Sequence, residues 1–351
     1  MTTAAPRIVA VARDERFTAH KTGHAHPESP ARLTAIYRML DRYFAEALVT
    51  VTPDAATLDQ LELVHTPGHV KKILKTAEQK ITSLAPDTPV SNQSYLAAWL
   101  AAGACIQGVE RLLAGDCGAF FALVRPPGHH ALPDRATGFC LLNNLAIAAR
   151  CAQMNHGLEK ILIIDWDVHN GNGINDVFYT EENVFYLSSH DLMLFPYAGD
   201  INETGDGKGR GFTLNLPLDR SVTDNDVAHL YRAILEPVFA RYQPDLVMVA
   251  AGFDAHTDDP LGRSDWTETA YFLLARLVRE LADAHGGIPI LLALEGGYDP
   301  GANAASVKAV LDALLTEAPL ARGDYQPDNP GYTAGLLEAV FAAHRPYGVW
   351  T

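Results

Sequence analysis

Short, nearly continuous apolar runs recur along this chain: Ile8 to Ala12, Ala119 to Val124, Ile161 to Trp166, Val184 to Leu187, Phe212 to Leu216, Leu246 to Ala251 and Ile288 to Leu294. Rich in Val, Ile, Leu and Phe, they predict strands buried on both faces. Between many of them the apolar positions shift to helical spacing, which predicts helices over Ser94 to Leu113, Leu141 to Met154, Asp224 to Arg241 and Thr267 to Ala284. Strand and helix in alternation imply an α/β fold, a parallel sheet with helices on both sides. An earlier helix is signalled by Ser29 as a cap and Pro30 at the first position, with Leu33, Ile36, Tyr37, Leu40 and Phe44 recurring as a core stripe. A polar, Pro-containing detour from Arg322 to Asn329 precedes a last short helix over Ala334 to Ala343. No repeat, low-complexity block or long linker interrupts the pattern, so residues 1–351 read as one domain.

Composition narrows the classes. With 48% hydrophobic and 20% charged residues in 351, the chain can bury a large core. A formal charge of −15 argues against nucleic acid as a partner, because neutralising a phosphate backbone needs an excess of Lys and Arg. Cationic or neutral substrates suit it better. Cys105, Cys117, Cys140 and Cys151 make no CxxC pair, so neither a disulfide scaffold nor a cysteine-zinc module is expected and a reducing cytoplasm fits. Met1 to Val11 lacks the pattern of a secretory signal, and no run of about 18 apolar residues suggests a membrane span. The expectation is a cytoplasmic protein with no membrane partner, for which a homo-oligomer stays open.

In an open parallel sheet the ligand site lies beyond the carboxyl ends of the strands. Here Arg125-Pro126-Pro127-Gly128-His129-His130 follows one run, and Asp165-Trp166-Asp167-Val168-His169 another. Gly252-Phe253-Asp254 and Glu295-Gly296-Gly297-Tyr298 follow two more. Asp167, His169 and Asp254 can supply three ligands to one divalent ion and leave positions open for water and a carbonyl, as a catalytic site requires. The i, i+2 spacing points Asp167 and His169 the same way along an extended segment. Taken alone, Asp-x-Asp-x-His is equally a solvated strand end, and its oxygen-rich set suits Fe(II), Co(II) or Mn(II) as well as zinc. Adjacent histidines after a rigid turn suit proton transfer near neutral pH, although a single one would more often be structural. Asp165 offers a carboxylate to hold one of them. Gly296-Gly297 lets the backbone bring the phenol of Tyr298 close to a ligand. Together these groups can activate water, take its proton and stabilise an oxyanion.

The motifs resemble the zinc-dependent histone deacetylase family, in particular its class II branch with the bacterial deacetylase-like and acetylpolyamine amidohydrolases. The likeness runs from His26-Pro27-Glu28-Ser29-Pro30-Ala31-Arg32 to Glu295-Gly296-Gly297-Tyr298 and includes Gly138-Phe139-Cys140 and Asn143-Asn144. It implies an arginase-like α/β fold with an eight-stranded, mainly parallel sheet. By motif, Asp167, His169 and Asp254 look like the zinc ligands, His130 like the general base and acid, and His129 like its electrostatic partner. Tyr298 matches the carbonyl-polarising tyrosine. Phe139 and Phe195 resemble the walls of an acyl-lysine tunnel, Gly138 its floor, Leu261 its guard and Asp87 a rim residue that holds substrate backbone. Asp165 with Ser188 and main-chain oxygens is similar to the family's inner potassium site. The implied substrate is an acylated lysine peptide or a small acylated amine.

Departures bear on substrate. Asn172 stands where class I members carry an aspartate, Asn170-Gly171 replaces the usual His-Gly, and Phe195-Pro196-Tyr197-Ala198-Gly199 lacks the common Gly-Thr-Gly, so Tyr197 would shape the mouth. Two rival readings use the same residues. A dinuclear manganese ureohydrolase would recruit Asp165 or Asp258 to a second ion, whereas a non-catalytic acyl-lysine binder would need neither the tyrosine nor both histidines.

Overall fold

The computed structural model describes residues 7–262, 264–316 and 325–351. The segment before Arg7 and the first three residues of the expected detour, 322–324, lie outside them. In chain order, β1 (Val9–Ala12) leads to α1 (Pro30–Tyr43), β2 (Val49–Val51), α2 (Leu58–Leu61) and α3 (Pro67–Leu74). A hairpin of β3 (Ser83–Ala85) and β4 (Thr88–Pro89) precedes α4 (Ser94–Leu113). Then come β5 (Ala119–Ala122), α5 (Asn144–His156), β6 (Ile161–Asp165), α6 (Asn172–Phe178), β7 (Val184–His190) and β8 (Thr213–Pro217). The rest is α7 (Asp224–Tyr242), β9 (Leu246–Ala251), α8 (Glu268–Ala284), β10 (Ile290–Leu294), α9 (Pro300–Leu315) and α10 (Pro330–His344).

Eight strands form one sheet in the order β2-β1-β5-β10-β9-β6-β7-β8, and every neighbouring pair is parallel. Every residue of β1, β5, β6, β7, β9 and β10 is buried, because helices cover both faces. One helical layer runs α7-α8-α9-α1 and the other contains α4 and α5. By length and composition α4 alone among the described helices could cross a membrane, but it is a core helix against α5, β5 and β10.

The hydrophobic pattern located all of these strands except β2 and the hairpin. β2 is an edge strand with Val49 and Thr50 exposed, so it carries no continuous apolar run. Expectations at three helix starts are corrected, and the last of these helices, α10, begins four residues before Ala334 because Pro330 sits in its first turn. Ser29 holds the cap position of α1 in extended conformation, but its side chain makes no capping bond, leaving Pro30 as the start signal. α5 begins after Leu141 and Leu142, because the side chain of Asn143 accepts from the Ala146 amide at 3.1 Å and caps it.

Strand order places the chemistry. The runs that end near His129-His130, Tyr298, Asp254 and Asp167-His169 are β5, β10, β9 and β6, four consecutive neighbours at the centre of the sheet. Their carboxyl ends are level, with Ala122 beside Ala293, Leu294 beside Ala251 and Ala250 beside Asp165.

Candidate active site

Beyond this central edge, Asp167, His169 and Asp254 bring one donor atom each to within 4.8 Å of one another. The Nδ1 of His169 lies 3.0 Å from Asp167 Oδ1 and 3.0 Å from Asp254 Oδ2. Each carboxylate is held by its other oxygen: Asp167 Oδ2 accepts from the Gly296 amide at 2.8 Å and Asp254 Oδ1 from the Val168 amide at 2.9 Å. A Cβ on Gly296 would collide with both carboxylates, so that turn can approach them only as glycine. Both aspartates are fully buried. Burial and then the Asp167 carboxylate push Asp254 up to about 7, while His129 and His169 hold Asp167 low against its own burial. Two buried carboxylates facing one imidazole nitrogen suit a divalent cation, whose charge removes their mutual repulsion.

The two histidines are buried side by side, with ring centroids 4.0 Å apart. His129 turns its Nδ1 to Asp165 Oδ2 at 3.0 Å, an oxygen that also accepts from Tyr186 at 3.0 Å. The carboxylates of Asp167 and Asp165 overcome burial and hold His129 well above the ordinary imidazole range. His130 turns its Nδ1 to Asn172 Oδ1 at 2.7 Å. Burial, then the charges of His129 and His169, keep it well below that range. Asp165 and Ser188 are opposed in register across β6 and β7. Asp165 is thus engaged by His129 and Tyr186, and Asp258 is exposed near His256, so neither joins the Asp167-His169-Asp254 group.

Above the donors opens a cavity of about 290 Å³. His130, His169 and Tyr298 line it, as do all the residues expected for substrate: Asp87, Gly138, Phe139, Phe195 and Leu261. Leu194 is an addition that sequence did not single out. Phe139 stands edge-on to Tyr298, centroids 5.6 Å apart, and Phe195 edge-on to His130 at 5.0 Å. Asp87 has both oxygens engaged locally: Oδ2 accepts from the Gly138 amide at 3.1 Å and Oδ1 from the Thr88 hydroxyl at 2.8 Å. In this structure it fixes the tunnel wall, where Gly138 and Phe139 both have left-handed φ, +57° and +66°. Tyr197, expected to shape the mouth, is exposed and is not among the residues that line the cavity.

Two buried clusters behind the site had no role assigned from sequence. Glu295 accepts from the Gly128 and His129 amides at 2.6 and 3.0 Å, tying β10 to the histidine loop. Glu28 is clamped between Arg32 and Arg125, and Arg32 also donates to the carbonyls of Glu295 and Gly297. The guanidinium of Arg32 lies 5.1 Å from the Tyr298 ring centre. The i, i+4 spacing of Glu28 and Arg32 was a visible signal; the partners more than 90 residues away were not.

Possible donors for one cation, two imidazoles and a phenol gathered at one cavity are the set of groups an amide hydrolase can use. Comparison with known proteins gives the family: the histone deacetylase domain matches residues 26–314, and the chain belongs to that family. It is 36% identical to the chloroplastic histone deacetylase 14 of Arabidopsis thaliana over 88% of this chain and 76% of that protein. The histone deacetylase-like amidohydrolase of Pseudomonas aeruginosa is 35% identical over 78% of this chain and 72% of its own. Among solved structures, the HDA15 HD domain superposes with a TM-score of 0.90 at 34% identity, covering 99% of this chain and 96% of that one.

Proposed function

We propose that this protein, taken as one domain, is a zinc-dependent deacylase that hydrolyses the acyl-amide of an acylated lysine or a related acylated amine. The observation that carries the proposal is one cavity lined jointly by His130, His169 and Tyr298 and by the aromatic rings of Phe139 and Phe195, which stand edge-on to Tyr298 and His130. The walls suit the methylene stem of an acylated amine. Asp167, His169 and Asp254 would hold the ion; zinc fits three such ligands, and Fe(II) or Co(II) is chemically admissible. When bound, it lowers the pKa of water and polarises the acyl carbonyl.

The remaining chemistry belongs to side chains. With Nδ1 committed to Asn172, His130 presents Nε2 as the base that takes the proton of the attacking water and later returns it to the leaving amine. His129, held charged between Asp165 and Asp167, stabilises the negative charge that develops beside it. Burial and the nearby Asp254 and Asp167 keep the Tyr298 phenol well above its usual pKa, so it stays a hydrogen-bond donor to the oxyanion. The opposed Asp165 and Ser188, with main-chain oxygens, would hold a structural potassium ion. The described cysteines are free and buried, in keeping with a reducing cytoplasm.

A second reading, an acetylpolyamine amidohydrolase, is favoured by the net charge of −15. Apolar Leu261 at the cavity counts against it. The test is a comparison of kcat/KM for acetyl-lysine peptides and acetylpolyamines, before chelation, after it, and after zinc is restored. Metal-dependent turnover of acyl-lysine is the expected result. Turnover of neither class would overturn the proposal in favour of a non-catalytic binder.

A further inference from the structure

Asp259 is buried beside Leu261 and Tyr298 of the tunnel lining, and among the described residues neither of its oxygens has a side-chain hydrogen-bond partner. Instead the carboxylate gathers three backbone amides from two elements. Its Oδ2 accepts from the Tyr298 amide at 2.6 Å, while Oδ1 accepts from the Leu261 amide at 2.8 Å and the Gly262 amide at 3.2 Å. Gly262 in turn packs so closely on the carbonyl of Asp254 that a Cβ there would overlap it. One carboxylate therefore joins the backbone of the phenol, the backbone of a rim residue and, by contact, that of a metal-donor residue.

The other side of the Tyr298 turn is fixed separately. The carbonyl of Gly297 accepts from Arg32 and, at 3.0 Å, from Asn303, and Gly297 itself has φ +107°. Gly296 is held at its amide by Asp167 and at its carbonyl by the Phe253 amide at 3.1 Å, so the bond left to place Tyr298 itself is the one on its own amide. Asp259 is then the only hydrogen bond recorded on the Tyr298 amide among the described residues. Charge-assisted bonds to a buried carboxylate are short and strong, so they suit fixing a group whose placement matters to a fraction of an ångström.

We infer that Asp259 is a positioning residue that locks Tyr298 to the Leu261 rim, so that one carboxylate sets both the oxyanion contact and the mouth contact with substrate. This rests on the role given to Tyr298 above. An Asn at 259 keeps the shape but offers an NH2 group where one backbone N–H needs an acceptor.

The experiment is a double-mutant cycle of Asp259→Asn and Tyr298→Phe on an acetyl-lysine peptide, with zinc content measured in every variant. Asp259→Asn alone should retain the metal and lower kcat by roughly 10- to 100-fold, with a KM change because Leu261 is also released. In the Tyr298→Phe background, where no hydroxyl remains to be placed, the same substitution should lower kcat by less than about threefold. A loss of the same size in both backgrounds, or wild-type kcat in Asp259→Asn, overturns the inference while leaving the tyrosine's role intact. Near wild-type kcat in Tyr298→Phe alone overturns the tyrosine's role itself. If Asp259→Asn does not retain zinc, Asp259→Glu, which keeps the charge and displaces the carboxylate, is carried through the same cycle and read the same way.

Discussion

His130 rests its Nδ1 on the side-chain oxygen of Asn172, 2.7 Å away. An amide oxygen orients the ring but adds no charge, whereas His129 beside it has the Asp165 carboxylate. Burial and the charges of His129 and His169 drive His130 down, while Asp167 and Asp165 hold His129 up against its burial, in a pair whose centroids are 4.0 Å apart. Opposite shifts in adjacent titrating groups divide the roles of charged stabiliser and neutral base.

Asn172→Asp tests that division. A carboxylate at hydrogen-bond distance favours the imidazolium and raises the pKa of a histidine by about 1 unit or more. His130 works as a base when neutral, so a higher pKa means that more alkaline conditions are needed. The acidic limb of kcat/KM should move to higher pH by about one unit. An unmoved limb would mean that another group controls it.

Tyr298→Phe removes one hydrogen bond to the oxyanion and should lower kcat by roughly 10² to 10³. Metal content should hardly change, because the phenol is no member of the donor group. If kcat stays near wild type, the ring is wall packing against Phe139.

Metal removal should destabilise the fold. Without a cation, Asp167 and Asp254 face each other in a buried site. A ligand that binds only the folded state contributes about 4 kcal/mol when its free concentration is 1,000 times Kd. Chelation should lower the denaturant midpoint and zinc should restore it, with one ion per chain by elemental analysis. Two ions per chain, or full metal retention in Asp254→Ala, would contradict the donor assignment.

Leu261→Glu puts a carboxylate at the tunnel mouth, where a second amine of a polyamine would lie. The ratio of kcat/KM for acetylpolyamine over acetyl-lysine should rise on the order of tenfold, about 1.4 kcal/mol. Distant acidic groups act weakly by comparison, since their fields decay over roughly 8 Å at physiological salt. If the wild-type enzyme already prefers acetylspermidine to every acyl-lysine peptide, Leu261 does not set selectivity.

What could be foreseen here depended on how local its signal was. Asp167, His169, Asp254 and Tyr298 stand within a few residues of buried strands whose apolar runs are unmistakable, so strand ends and chemistry were legible together. β2 was not, because an edge strand with two exposed residues has no apolar run. The engaged state of Asp87 depends on the β3–β4 hairpin meeting a turn 51 residues on. Arg32 reaches carbonyls 263 and 265 residues away, a pairing that only the sheet order creates. Sequence pointed to candidate residues for the chemistry but not to the residues that hold those candidates in place.

Glu295 is such a holder, and its charge opposes folding. One oxygen takes two amides, from Gly128 and His129, while Oε1 is buried with no hydrogen-bond partner among the described residues. Burial pushes its pKa up from 4.5 to about 7, although the charge of His129 and the two amide bonds work against the shift. A folded-state pKa above the unfolded one favours folding fully only below the unfolded value, and that contribution disappears as pH rises through about 7. Glu295→Gln removes the titration: its amide oxygen can accept both N–H groups, and its NH2 replaces the lone Oε1. The variant should therefore gain stability relative to wild type as pH is raised from 5 to 8, by about 2 kcal/mol at 1.36 kcal/mol per pKa unit. Urea denaturation of both proteins at the two pH values, with zinc saturating, measures this difference. A gap between variant and wild type that stays the same at pH 5 and pH 8 would show that Glu295 does not carry the shifted proton.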